Sequence, residues 1–184
     1  MTFTLTAYSL MALVVIGLLA YVISIFNQLV MLRLNIDKAF HNIDVLLKQR
    51  ADEIPQLVII AKQAMTHEQQ TLEKLTQLRN QFFQTTKTEQ KTQVSNEISQ
   101  AIHGIFGVVE NYPDLKANEN MLGLQKRISE IENAIADRME FFNDSVTLYN
   151  IAINEFPNVI LAKLLFYTDK SLLKLEHQHH GIQF

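Results

Sequence analysis

The chain has 184 residues, with 5 glycines, 3 prolines and no cysteine. So few turn formers exclude a β-sandwich, which needs a turn signal every ~8–12 residues, and the missing thiol excludes a disulfide framework, thiolate metal sites and a cysteine nucleophile. With 16 basic against 19 acidic residues and a net charge of −3, no basic face for phosphates is expected, and nucleic acid is not an expected partner.

No charged side chain and no histidine precedes Arg33. Residues 5–26 are apolar apart from isolated small or weakly polar side chains (Thr6, Tyr8, Ser9, Gly17, Ser24). As a helix they rise about 33 Å, enough to cross a hydrocarbon core of about 30 Å. A cleaved secretory signal would carry Lys or Arg ahead of an apolar core of about 7–15 residues, and a buried soluble helix would need a wider core than the rest of the chain offers. The sequence therefore predicts an uncleaved lipid anchor within residues 1–32. Arg33, Lys38, Lys48 and Arg50 follow this stretch and no basic residue precedes it. The positive-inside rule then places the N-terminus outside and the large domain in the cytoplasm.

Beyond the anchor the apolar residues keep a helical period. Leu29, Leu32, Ile36, Phe40 (or Ala39), Ile43 and Leu47 (or Leu46) recur every three or four positions, the seam of a helix packed on others. Pro55 lacks a donor and clashes with the carbonyl four residues back, which predicts a break or sharp kink over Asp52, Glu53 and Ile54. A second helix is expected through Leu57, Ala61, Ala64, Leu72, Leu75 and Phe82, with Glu68 interrupting its stripe. Thr86 and Glu89 have capping-box spacing ahead of a third helix through Val94, Ile98, Ile102 (or Ala101), Ile105 and Val109, weakened by Gly104 and Gly107. Pro113 pushes Tyr112 toward an extended conformation. A long last helix over 117–156 follows, carrying Leu124, Ile128, Ile131, Ile135 (or Ala134), Phe142, Val146, Tyr149, Ile153 and Phe156, and ending at Pro157. The fold class is all-α: a transmembrane helix continuing into an elongated antiparallel helical bundle.

Three stretches carry a resemblance. The first holds Asn42, Ile43, Asp44 and Val45, then Lys48, Arg50, Asp52, Ile54, Pro55, Leu57 and Val58. The second is Tyr112, Pro113, Asp114, Leu115, Lys116, Ala117, Asn118 and Glu119. The third holds Glu132, Asn133, Ile135, Arg138, Phe142, Asn143, Val146, Tyr149, Asn150, Phe156 and Pro157. Together with the anchor and the His67–Glu68 pair, they resemble the LemA family of bacterial membrane proteins up to about Ala162. The resemblance implies an N-terminal anchor in the bacterial cytoplasmic membrane, an outside N-terminus and a helical cytoplasmic domain without established catalysis. By gene neighbourhood in some bacteria it also implies association with membrane metalloproteases. Phe40 stands where the family usually has tryptophan, Gln56 where it has asparagine, and Phe142 where tyrosine is common. The expected domains are the anchor (1–32), a LemA-like bundle (33–162) and a divergent tail (163–184).

Chemistry-bearing motifs are sparse. His67–Glu68 begins like a zinc-protease helix but continues Gln69–Gln70–Thr71, without the second histidine one turn on. His177, His179 and His180 crowd the tail, where a solvated segment is favoured over a metal site. Asn143–Asp144–Ser145 fits the glycosylation pattern but falls mid-helix on the cytoplasmic side. Polar residues near the seams need partners, so Asp44 or Glu132 is expected to pair with Arg138 or Lys48 across the bundle, or else to form solvated surface pairs. Chain breaks expose backbone groups, which makes Asp52, Pro55, Tyr112, Asp114 and Asn118 candidate partner-docking residues. The sequence thus reads as a membrane-tethered scaffold or adaptor with no cofactor and no catalysis of its own. Its expected partners are the lipid bilayer and another membrane protein. A self-associating rod, and a metal-dependent enzyme with a site inside the bundle, are the alternatives.

Overall fold

The computed structural model describes residues 2–65 and 68–174, and every regular element among them is a helix. They are α1 (Thr2–Lys62), α2 (Gln69–Gln84), α3 (Thr88–Val109), α4 (Pro113–Lys116), α5 (Glu119–Asn154) and α6 (Asn158–Leu164). The chain divides into two compact units: residues 2–39 with Phe142–Leu172, and Phe40–Phe141 with residues 173 and 174. Helices α1 and α5 contribute to both.

Helix α1 runs unbroken through Pro55, so the expected break over residues 52–54 is corrected. Pro55 offers no N–H to the carbonyl of Ala51, yet that oxygen accepts a hydrogen bond from Nε of Arg79 at 3.1 Å. A donor from α2 replaces the helical one, while the ring of Pro55 sits on the exposed face. The true end of α1 comes at Lys62, and the residues expected to open a second helix, Leu57 and Ala61, are the last buried turns of the first.

In the unit of Phe40–Phe141, α1 is followed by α2 across residues 63–68, and Arg79 faces Ala51, so the two form an antiparallel hairpin. Thr85, extended at φ −82° and ψ 125°, closes α2. Lys87 occupies the N-cap of α3 without a side-chain cap bond. Thr86 therefore does not cap, against the capping-box expectation, although Glu89 in the first turn suits the positive end of the helix dipole. The pairs Asp44–Lys91 and Arg50–Ser95 advance together, which sets α3 parallel to α1. Arg50–Glu132 and Glu53–Arg127 advance in opposite senses, which sets α5 antiparallel. The result is an up-down-up-down four-helix bundle.

Its seam is Ile43, Leu47, Ile54 and Leu57 of α1, Leu72, Leu75, Leu78 and Phe82 of α2, the five expected apolar residues of α3, and Leu124, Ile128, Ile135 and Met139 of α5, all buried. Gly104 and Gly107 do not interrupt α3: they lie on its exposed side, with nothing within 4 Å of where a Cβ would stand.

In the other unit, Ile25, Leu29, Ile36 and Ala39 of α1 are buried with Phe142, Val146, Tyr149, Ala152 and Ile153 of α5 and Ala162 of α6. The run after α6 is pinned to α5. Asn150 takes both backbone groups of Lys170, at 2.9 Å each, Tyr149 Oη donates to the carbonyl of Thr168 at 3.3 Å, and Asn154 donates to Asp169 at 3.0 Å. Phe156, expected on the seam, is instead exposed, because α5 ends at Asn154 and the chain turns over residues 155–157. Toward the N-terminus, α1 carries the one described helix long and apolar enough to cross a membrane. Its large apolar side chains from Leu5 to Ile23 are exposed throughout.

Candidate functional site

Arg50 lies at the centre of the bundle unit, 4 % exposed. It sits seven residues after Ile43 and seven before Leu57, so the heptad spacing of the seam carries a guanidinium inward. Buried cations need fixed acceptors. Nη2 donates to the backbone carbonyl of Ser95 at 2.6 Å and to the hydroxyl oxygen of the same residue. Nη1 lies 3.4 Å from Oε1 of Glu132. Nε is buried with no hydrogen-bond acceptor among the described residues. Burial holds the Arg50 pKa below its ordinary value, and the charge and hydrogen bond of Glu132 offset this only in part.

Glu132 is shared three ways. Besides Arg50, its Oε1 accepts from Ser99 Oγ at 2.7 Å, and its Oε2 lies 3.2 Å from Nε2 of the exposed His103. A serine, a histidine and a carboxylate thus gather here in the wrong order for nucleophilic catalysis. The acid stands between hydroxyl and imidazole, whereas activation of a serine needs the imidazole in the middle.

A second cluster surrounds the buried Asp44. Lys48 reaches Oδ2 at 2.7 Å along the same helix, and Lys91 reaches Oδ1 at 2.6 Å from α3. Lys91 Nζ also lies 4.9 Å from the ring centroid of Phe82, a cation–π contact. Burial raises the Asp44 pKa, but hydrogen bonds and charge from Lys48 and Lys91 outweigh it, and the net result is a carboxyl held below its ordinary value.

The expected polar pairs are therefore rearranged. Asp44 meets Lys48, but within one helix, and its partner across the bundle is Lys91. Glu132 is bridged by Arg50, while Arg138 is exposed and makes no ion pair or hydrogen bond among the described residues. Ser95, Ser99, Lys91 and His103 were not foreseen. Their signal in the sequence is weak: each flanks the α3 seam by one to three positions, but nothing local marks a serine as the partner of a buried arginine.

The docking candidates occupy two places. Asp52 and Pro55 are exposed on α1, and Asp52 lies 3.7 Å from Arg79. Near them, Arg127 of α5 binds Glu53 at 3.2 Å and donates to Oε1 of Gln56 at 3.3 Å. Tyr112, half-buried, stands at the N-cap of α4 with Pro113 at the first helical position, as proline prefers. Asp114 is exposed in the first turn of α4. Asn118 caps α5, its Oδ1 accepting from the N–H groups of Asn120 and Met121 at 2.9 and 3.2 Å.

An open hollow of about 420 Å³ between α2 and α3 is lined by polar side chains such as Gln70, Lys74 and Glu97. Among the described residues no three His, Asp or Glu side chains converge as metal ligands would; His67, His177, His179 and His180 lie outside those residues. None of the curated proteins matches the chain. The model of the LemA family matches residues 39–184, reaching past Ala162, where the resemblance read from motifs stops.

Proposed function

This chain belongs to the LemA family, and on that footing we propose that it is a membrane-tethered helical scaffold that holds another membrane-associated protein, with no chemistry of its own. A contrast along α1 supports this reading. From Leu5 to Ile23 its large apolar side chains meet no protein, whereas from Ile43 onward the same helix has a filled apolar seam. Apolar surface on that scale calls for lipid or a partner. In the bundle unit Arg50 is paired with the half-buried Glu132, and Asp44 with Lys48 and Lys91; on this reading these pairs hold helices in register. On this reading the anchor crosses the bacterial cytoplasmic membrane with its N-terminus outside, and confinement to the bilayer raises the effective concentration of membrane-bound partners.

The docking surface we favour is the connection bearing Tyr112, Asp114 and Asn118, with Asp52 and Pro55 of α1 as a second face. A membrane metalloprotease is the partner class that family analogy suggests. Alkaline carbonate washing should leave the full chain in the membrane pellet, and release would end the tethered reading. Crosslinking of the native membrane followed by mass spectrometry should then recover one membrane protein whose yield falls in a Tyr112→Ala, Asp114→Ala variant. Crosslinks between copies of this chain alone would favour the self-associating rod.

A further inference from the structure

Helix α6 wears its polarity inside out. Asn158 and Ala162 are buried, while Ile160 and Leu164 are 63 % and 71 % exposed. The flanking residues go further, with Phe156 at 78 % and Phe166 at 89 % exposure. Phe166 also stands at φ 56°, a left-handed conformation that a bulky side chain enters only at a cost, and its ring gains no burial in return. A soluble protein turns such a helix the other way.

Position along α1 identifies what these side chains face. The Arg33 guanidinium lies 5.9 Å from the ring centroid of Tyr167, and the same charge acts on Tyr149. With the two helices antiparallel, α5 runs five residues beyond Tyr149 to its end at Asn154, which carries the following turn and Phe156 toward Phe26, the last residue of the apolar stretch. The burial of Ile25 and Leu29 at that height, inside a unit whose other segment is Phe142–Leu172, agrees.

We propose that the turn after α5 and helix α6 form a second membrane contact, an interfacial wedge in which Phe156, Ile160, Leu164 and Phe166 enter the headgroup–acyl boundary beside the α1 span. Such elements sit about 5–10 Å into that boundary, and Lys163, on the same exposed stretch, extends its ammonium back to the phosphates. This inference rests on the membrane reading of α1.

The chain has no cysteine, so single cysteines report without background. Full-length Leu18→Cys, Phe83→Cys, Ile160→Cys and Phe166→Cys variants carry an environment-sensitive fluorophore and are reconstituted in vesicles of phosphatidylethanolamine and phosphatidylglycerol. Labels at 18, 160 and 166 should each lose about twofold in emission when the vesicles contain lipid spin-labelled high on the acyl chain. The label at 83, on the bundle, should respond only to aqueous iodide. If 18 is quenched by lipid while 160 and 166 follow iodide, the wedge is wrong and the anchor stands. If 160 and 166 are shielded from both quenchers, a second protein surface covers them and the wedge is equally wrong. If 18 itself ignores the lipid quencher, the anchor fails and the wedge with it.

Discussion

Nε of Arg79 donates to the carbonyl of Ala51 at 3.1 Å, the oxygen that Pro55 strips of its helical donor. A proline normally ends or bends a helix through that lost bond and the ring clash. Here the bond is restored from a neighbouring helix, and the arginine is held in place by Asp52 and by the ring of Phe83, whose centroid is 5.0 Å away. Arg79→Ala is expected to cost about 1–2 kcal/mol by leaving a part-buried carbonyl unmatched. In a Pro55→Ala background, residue 55 regains an N–H for that carbonyl, and the cost should fall by about half or more. Urea unfolding of the four proteins in detergent measures the coupling, and strict additivity would remove the link between the two residues.

Glu132→Ala leaves the Arg50 guanidinium buried with only Ser95 to accept from it. The expected loss is about 3 kcal/mol. Replacing both partners by apolar residues, Arg50→Met with Glu132→Leu, should cost much less than the two single changes together. Denaturation midpoints of the single and double variants decide this, and a double-variant loss equal to the sum of the two single losses would mean that the pair is not coupled.

The acid limb of the stability profile should carry the signature of Asp44. Lys48 and Lys91 hold its pKa below the ordinary 3.8, so the native state keeps this carboxylate ionised where the unfolded chain has begun to protonate. Its contribution is present in full above about pH 4, and is lost as pH falls from there through the lowered native value. Asp44→Asn should be less stable at neutral pH and should show a shallower decline below about pH 4. A parallel decline in variant and parent would assign the acid sensitivity to other carboxylates.

Gly104 and Gly107 are helical, and an added methyl would meet nothing. Gly104→Ala and Gly107→Ala should each stabilise the protein by about 0.5–1 kcal/mol, the backbone entropy that glycine loses in a helix. Thermal unfolding by circular dichroism reads the gain, and a loss at either position would point to a contact made by that face outside this chain.

Most of the helical architecture was legible in the sequence because apolar periodicity is a local signal. Val94, Ile98, Ile102, Ile105 and Val109 could be read as one buried face, and α3 buries all five. The misreadings came where a local rule did not decide the outcome. Pro55 disfavours a helix in isolation, and the replacement donor for the Ala51 carbonyl comes from Arg79, 24 residues further on. Thr86 and Glu89 have the right spacing for a cap, but the helix starts after Lys87, one residue later. The polar cluster was half legible. Asp44 and Glu132 could be picked out as carboxylates near a seam, and Arg50 lay on the heptad with Ile43 and Leu57. Its acceptor, Ser95, depends on how α3 lies against α1, which no spacing within either segment reports.

The short joint between α3 and α5 ties the closing turn of one helix to the opening turn of the next. Tyr112 donates its N–H back to the Val109 carbonyl, and seven residues span that tyrosine and Asn118, whose amide oxygen starts α5. A ligand clasping this joint would grip two rods by their tips at the same moment. Its footprint in hydrogen exchange would then spread beyond the contacted loop, slowing amides around Val109 and Met121 together, so that occupancy at one end of the bundle is recorded in two helices of its frame.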